Sequence, residues 1–137
     1  MVTSLNNTVP ARNDGSQDVQ YLRRSLVAST DNAGDRVIGT IPAGSIILKP
    51  LSGAYVGTAF DAGSVMNIGP STDPGTDLWA TNLALATANT FVPLDEVVAM
   101  SVTSDTTIVA RLSASGTIVA TTAAADVVIA YIPAADR

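Results

Sequence analysis

Apolar positions along this chain come in short runs rich in Val, Ile, Thr and Tyr, each soon halted by glycine, proline, asparagine or aspartate. Runs of this kind, alternating rather than repeating with a helical period, predict β-strands. They are expected near residues 19–29, 36–41, 45–51, 54–60, 64–69, 96–103, 106–113, 116–122 and 126–133. PAG at 42–44, DAG at 61–63 and ASG at 114–116 mark turns, setting glycine where a positive φ costs little. Residues 1–18 show neither period and carry Pro10 and Gly15 among Asn and Asp. They are expected to form an extended N-terminal arm ahead of a single domain spanning 19–137.

Two runs say most about the sheets. In MSVTSDTTIVARL the expected hairpin turns at Ser104-Asp105, with Val98, Met100 and Val102 on one face answered by Ile108, Ala110 and Leu112, and Ser101, Thr103, Thr107 and Arg111 on the other. One apolar and one polar face is what an antiparallel sheet with a wet side shows. DVVIAYIP is apolar on both faces, Val127, Ile129 and Tyr131 against Val128, Ala130 and Ile132, which predicts a central strand or one bordering another subunit. Pro133 ends it, having no N–H for the ladder. The stretch 77–92, beginning DLWATNLALATANTF, fits a helical turn through Leu83, Leu85 and Ala88 and a strand through Leu83, Leu85 and Thr87, so a mixed connection is expected there. Many short strands with little helical periodicity indicate an all-β domain, a sandwich or a barrel. Val, Ile, Leu and Ala would fill its core around Phe60, Phe91, Tyr131 and Trp79.

Composition then narrows the function. The 137 residues suffice for one core that buries roughly two-thirds of the unfolded surface. There is no cysteine for disulfides or thiolate metal sites, and no histidine, the commonest general base and transition-metal ligand. A net charge of −5, with only Arg23 and Arg24 as adjacent cations, argues against a nucleic-acid partner. No run approaches the roughly 18 apolar residues of a membrane span. The first residues lack the basic flank and apolar stretch of a secretory signal, so synthesis in a cytoplasm is expected. Hydrophobic residues reach 47% against 14% charged, which predicts that neighbours cover part of the apolar surface in an oligomer or assembly.

Candidate chemistry is sparse. Asp73 and Asp77 in STDPGTD could offer hard oxygens to calcium, and so could Asp31 and Asp35 in TDNAGD. Neither stretch has EF-hand spacing, and Asx and Pro-Gly turns are the preferred reading, with no metal expected. Asp95 adjoins Glu96, the one glutamate, but neighbours on a strand point to opposite faces and cannot share one bond. Lys49 has no SxxK-type serine, Ile46 standing three residues before it, and is expected to guard an edge strand. The glycines match no phosphate-binding motif. No enzyme and no cofactor are therefore expected. Tyr21, Tyr55, Trp79 and Tyr131 could stack on a sugar ring, although large aromatics more often anchor cores or interfaces.

The succession IPAGSIILKP, VGTAFDAGSVMNIG, STDPGTD and SDTTIVARLSASGTIVATTAAADVVIAYI, covering about residues 36–133, resembles small structural proteins of tailed bacteriophages, especially capsid decoration (cement) proteins. The resemblance implies an antiparallel, jelly-roll-like β-sandwich that forms homotrimers on the virion surface and bridges major capsid protein subunits. It departs from the family pattern after DPGTDLWA. The alternative is a receptor- or glycan-binding domain of a phage tail or head fibre. For the capsid contact the expected residues are Val9, Pro10 and Arg12 of the arm with Tyr21, Arg23 and Arg24, since tyrosine and arginine are favoured anchors. Val127, Ile129 and Tyr131 are expected at the subunit interface.

Overall fold

The alternating runs become strands β1 (Gln20–Val27), β2 (Asp35–Ile41), β3 (Ile46–Ile47), β4 (Gly53–Thr58), β5 (Val65–Pro70), β6 (Ala80–Ala84), β7 (Thr90–Pro93), β8 (Thr106–Ser113) and β9 (Ala124–Ile132), with one helical turn, α1 (Ala28–Asp31). The computed structural model describes residues 18–32, 34–72, 78–96, 101–113 and 119–134.

Pairing is nested. β1 pairs with β9, β2 with β8, β4 with β7 and β5 with β6, all antiparallel, like rungs of one long folded ribbon. The ribbon rolls up through two further contacts, β4 with β9 and β5 with β8. The result is a five-stranded sheet, β1-β9-β4-β7 with β3 also on β9, and a four-stranded sheet, β2-β8-β5-β6. This is a β-sandwich with jelly-roll strand order, in which each sheet hides one face against the other.

Both sheets feed the core. Leu26, Ile47, Val56, Val127 and Ile129 from the first meet Ile41, Met66, Ile68, Ile108 and Leu112 from the second, all fully buried. Each such side chain stabilises the fold by roughly 1.5–3 kcal/mol. Phe60, Trp79 and Tyr131 complete the core as expected, whereas Phe91 stays 40% exposed. The buried Ser52 hydroxyl donates to Leu48 O and accepts from Ala130 N, so its burial leaves no orphan.

Several expectations change. The run at 45–51 breaks after β3, because Pro50 has no N–H for the ladder and Lys49–Leu51 closes into a 3-10 turn; Lys49 guards no edge strand. Beyond that turn, β4 resumes along the same side of β9. The stretch 77–92 holds two strands, β6 and β7. Of the expected strand 96–103, residues 97–100 lie outside the described residues and Ser101 makes only an isolated bridge to Ile46. β8 therefore pairs not through a hairpin at Ser104-Asp105 but with β2 and β5. Of the expected strand 116–122, residues 119–122 are not strand and Val119 is 78% exposed.

Candidate binding face

Alternation along β9 decides what faces outward. Ala125, Val127, Ile129 and Tyr131 are buried, while Asp126, Val128 and Ile132 on the opposite face are half-buried. Neighbouring strands follow the same register. Arg23 and Gly53 flank Val128, Ser25 and Tyr55 flank Asp126, and Tyr21 lies beside Ala130. On β7, Phe91 stands directly opposite Tyr55, and Pro93 opposite Gly53. The outer surface of this sheet thus exposes Tyr21, Tyr55 and Phe91, with Ile46 and Leu51 near one end.

A hollow of about 380 Å³ opens in this surface, lined by Tyr21, Arg23, Tyr55, Asp126 and Val128. Val128 of β9 lines it, with Arg23 of β1 and Gly53 of β4 as its neighbours on the two sides. Gly53 must be glycine: a Cβ there would lie 2.2 Å from Val92 O and 2.7 Å from Pro93 Cα. Tyr21 and Tyr55 rise on opposite sides of the hollow. Arg23 Nε and Nη2 both donate to Asp126 Oδ2, Nε at 3.0 Å. Among the described residues, Arg23 Nη1 and Asp126 Oδ1 have no hydrogen-bond partner.

Of the residues expected to bind, the structure brings Tyr21 and Arg23 together in this hollow. Arg24 goes elsewhere, its Nη1 donating to Val37 O of β2 at 2.8 Å and tying the edges of the two sheets. Val9, Pro10 and Arg12 lie outside the described residues. Val127 and Ile129 are fully buried and Tyr131 nearly so, which commits them to the chain's own core; a partner subunit would meet the other side of β9. Of the aromatic candidates for sugar stacking, Trp79 and Tyr131 are buried, and Tyr21 and Tyr55 converge. Sequence reasoning missed Gly53, Asp126 and Val128, although the alternation in DVVIAYIP already set Asp126 and Val128 opposite the core-facing residues.

The aspartates proposed for metal or acid–base work hold backbone and arginines instead. Asp31 accepts from Val27 N at 2.8 Å and Arg36 Nε at 3.0 Å, and Asp35 from Arg111 Nε at 2.8 Å. Asp95 accepts from Thr81 N; two aspartates with no proposed role do the same, Asp61 accepting from Val119 N and Ala120 N and Asp105 from Ala43 N. Burial alone would raise the Asp31 carboxyl, but the Val27 amide, the Arg36 guanidinium and the Thr30 hydroxyl outweigh it and hold the pKa below the usual 3.8. Asp73 and Asp77 lie outside the described residues. Among the described residues, no group of three or more acidic side chains is placed to hold a metal ion.

The two outer surfaces therefore differ, one carrying three exposed aromatic rings around a hollow, the other carrying polar pairs beside an exposed Val37, with a second hollow of about 320 Å³ at the end where Pro70, Leu78 and Thr106 lie. No family model matches the chain, and no curated protein or solved structure is found to be similar to it.

Proposed function

We propose that this protein works by adhesion, as a phage capsid decoration protein that sits on the outer shell as a homotrimer and bridges major capsid subunits. The observation that supports this most is the set of large apolar side chains left exposed on the larger sheet and its 3-10 turn, Phe91 of β7, Ile46 of β3 and Leu51. A sheet face built this way gains by being covered. Jelly-roll order fits the same reading, since virion proteins are among those that use it. If each subunit hides roughly 1,000 Å² of apolar surface, the gross driving force is on the order of 25 kcal/mol, much of it offset by association entropy. Multivalent seating on a shell then lets weak single contacts suffice.

The test uses purified protein and phage heads lacking it. Light scattering should give a trimer, and adding the trimer should raise the temperature at which the heads lose DNA. Phe91→Ser with Ile46→Ser should weaken either trimer or seating at least tenfold. A monomer that ignores the heads would overturn the reading.

A further inference from the structure

We propose that the hollow over β9 is a saccharide-binding site, taking one ring of a neutral or amino sugar between Tyr21 and Tyr55. This goes beyond shell decoration and does not depend on it: seating on a shell calls on Phe91, Ile46 and Leu51, none of which lines the hollow, and Tyr55 of the hollow stands opposite Phe91.

Three features argue for a sugar. First, the walls are two phenol rings, 58% and 42% exposed, held on different strands with an apolar floor between them. Rings kept this far in water with space between them suit a ligand that offers C–H faces to aromatic surfaces. Second, the polar groups sit together at one side. Arg23 and Asp126 fix each other's position through Oδ2, which leaves Nη1, on the far side of the guanidinium, as a donor and Oδ1 as an acceptor. Sugar hydroxyls both donate and accept, so they can meet either group, and each such hydrogen bond is charge-assisted. Third, the site is pre-formed. The hollow stands open over strands already laddered as β1-β9-β4, so no strand has to part to admit a ring. Its volume of about 380 Å³ falls in the roughly 300–1,000 Å³ range of small-ligand clefts.

Charge narrows the class further. The Arg23 and Asp126 charges pair with each other, so the hollow has no net sign with which to select a phosphate or a sulfated sugar. Extended peptide could also lie over aromatic rings, and it is the competing occupant.

The experiment titrates the intact protein with methyl glycosides of glucose, galactose, mannose and N-acetylglucosamine, and with maltotriose and chitotriose, following tyrosine ring resonances by NMR. At least one sugar should shift Tyr21 and Tyr55 while the buried Trp79 indole signal stays fixed. Tyr21→Ala and Tyr55→Ala should each weaken that sugar at least tenfold, Tyr21→Phe should retain it, and Asp126→Asn should weaken it severalfold. The Trp79 signal certifies the fold of every variant. The proposal fails if no sugar shifts the rings, if the alanine variants bind as well as the parent, or if a proline-rich peptide displaces the sugar and binds more tightly. Trimer formation and seating on heads, measured on the same variants, report separately on the decoration role.

Discussion

The outer surfaces of the two sheets were built from the same alternating pattern, yet they answer to water differently. On the β2-β8-β5-β6 side, outward residues satisfy one another: Arg111 pairs with Asp35, Thr40 and Thr107 share a hydrogen bond at 3.0 Å, and Asn67 accepts from the Asn82 amide at 2.8 Å. On the β1-β9-β4-β7 side, aromatic and aliphatic side chains stand exposed around a single ion pair, Arg23 with Asp126. The polar pairs of the β2-β8-β5-β6 side are finished within one molecule, and between them only Val37 leaves a large apolar side chain exposed, at 51%. An exposed aromatic surface with a hollow in it is where an outside partner gains most.

The largest expected effect tests how tightly β7 closes on Gly53 at the border of the aromatic surface. Gly53→Ala forces a Cβ into fixed backbone of β7 and should destabilise the fold by roughly 3 kcal/mol in urea unfolding. Gly39→Ala in β2 meets only the mobile end of Leu22, at 2.9 Å from Cδ2, and should cost about 1 kcal/mol. Equal losses at the two glycines would remove the argument that β7 closes down on Gly53.

Next comes the joint between the sheets. Asp31 in α1 links β1 to Arg36 of β2, so Asp31→Asn should cost on the order of 1–2 kcal/mol at pH 7. Because its folded pKa is depressed, the carboxylate's contribution is fully present above about pH 4, the unfolded value. It disappears as pH falls through the folded pKa. Urea midpoints of parent and variant should therefore converge toward pH 2, and a gap that stayed constant would contradict the assignment.

Smaller effects separate the two ion pairs. Double-mutant cycles on Arg111/Asp35 and Arg23/Asp126 should each give only about 0.2–1 kcal/mol, since both pairs are partly exposed. Only the second cycle should alter ligand or partner binding. The smallest change, Thr40→Val with Thr107→Val, should shift stability by less than about 0.5 kcal/mol. If it made the polar surface associate as strongly as the aromatic one, apolar content alone would explain adhesion and the hollow would lose its special place.

Much of this architecture could be read from residue order. β9 was recognisable because Val and Ile occupy both of its faces, and it lies between β1 and β4 as a two-sided strand should. Gly44 and Gly63 adopt φ of +83° and +87° in the turns where PAG and DAG place them. β6 was hidden because Asn82 takes φ of +54° in its middle, so the buried residues are Ala80 and Leu83, three apart rather than two. The hairpin expected at Ser104-Asp105 looked sound locally, but nested pairing gives β8 partners far away in sequence. For the site, Tyr21 and Arg23 were legible as surface anchors. Their meeting with Tyr55 was not, because it depends on register across three strands.

The nesting of first strand with last has a consequence for how this protein is made. Ser25 finds its partner Asp126 only across nearly the whole sandwich, and β4 also waits for β9. On the ribosome, most of the chain must emerge before the strand that completes the larger sheet exists, so closure is slow and follows synthesis of that strand. Until then β1 and β4 offer bare edges, and the uncharged β4, without the arginines that guard β1, makes this interval the time when a helper that shields nascent strands matters most.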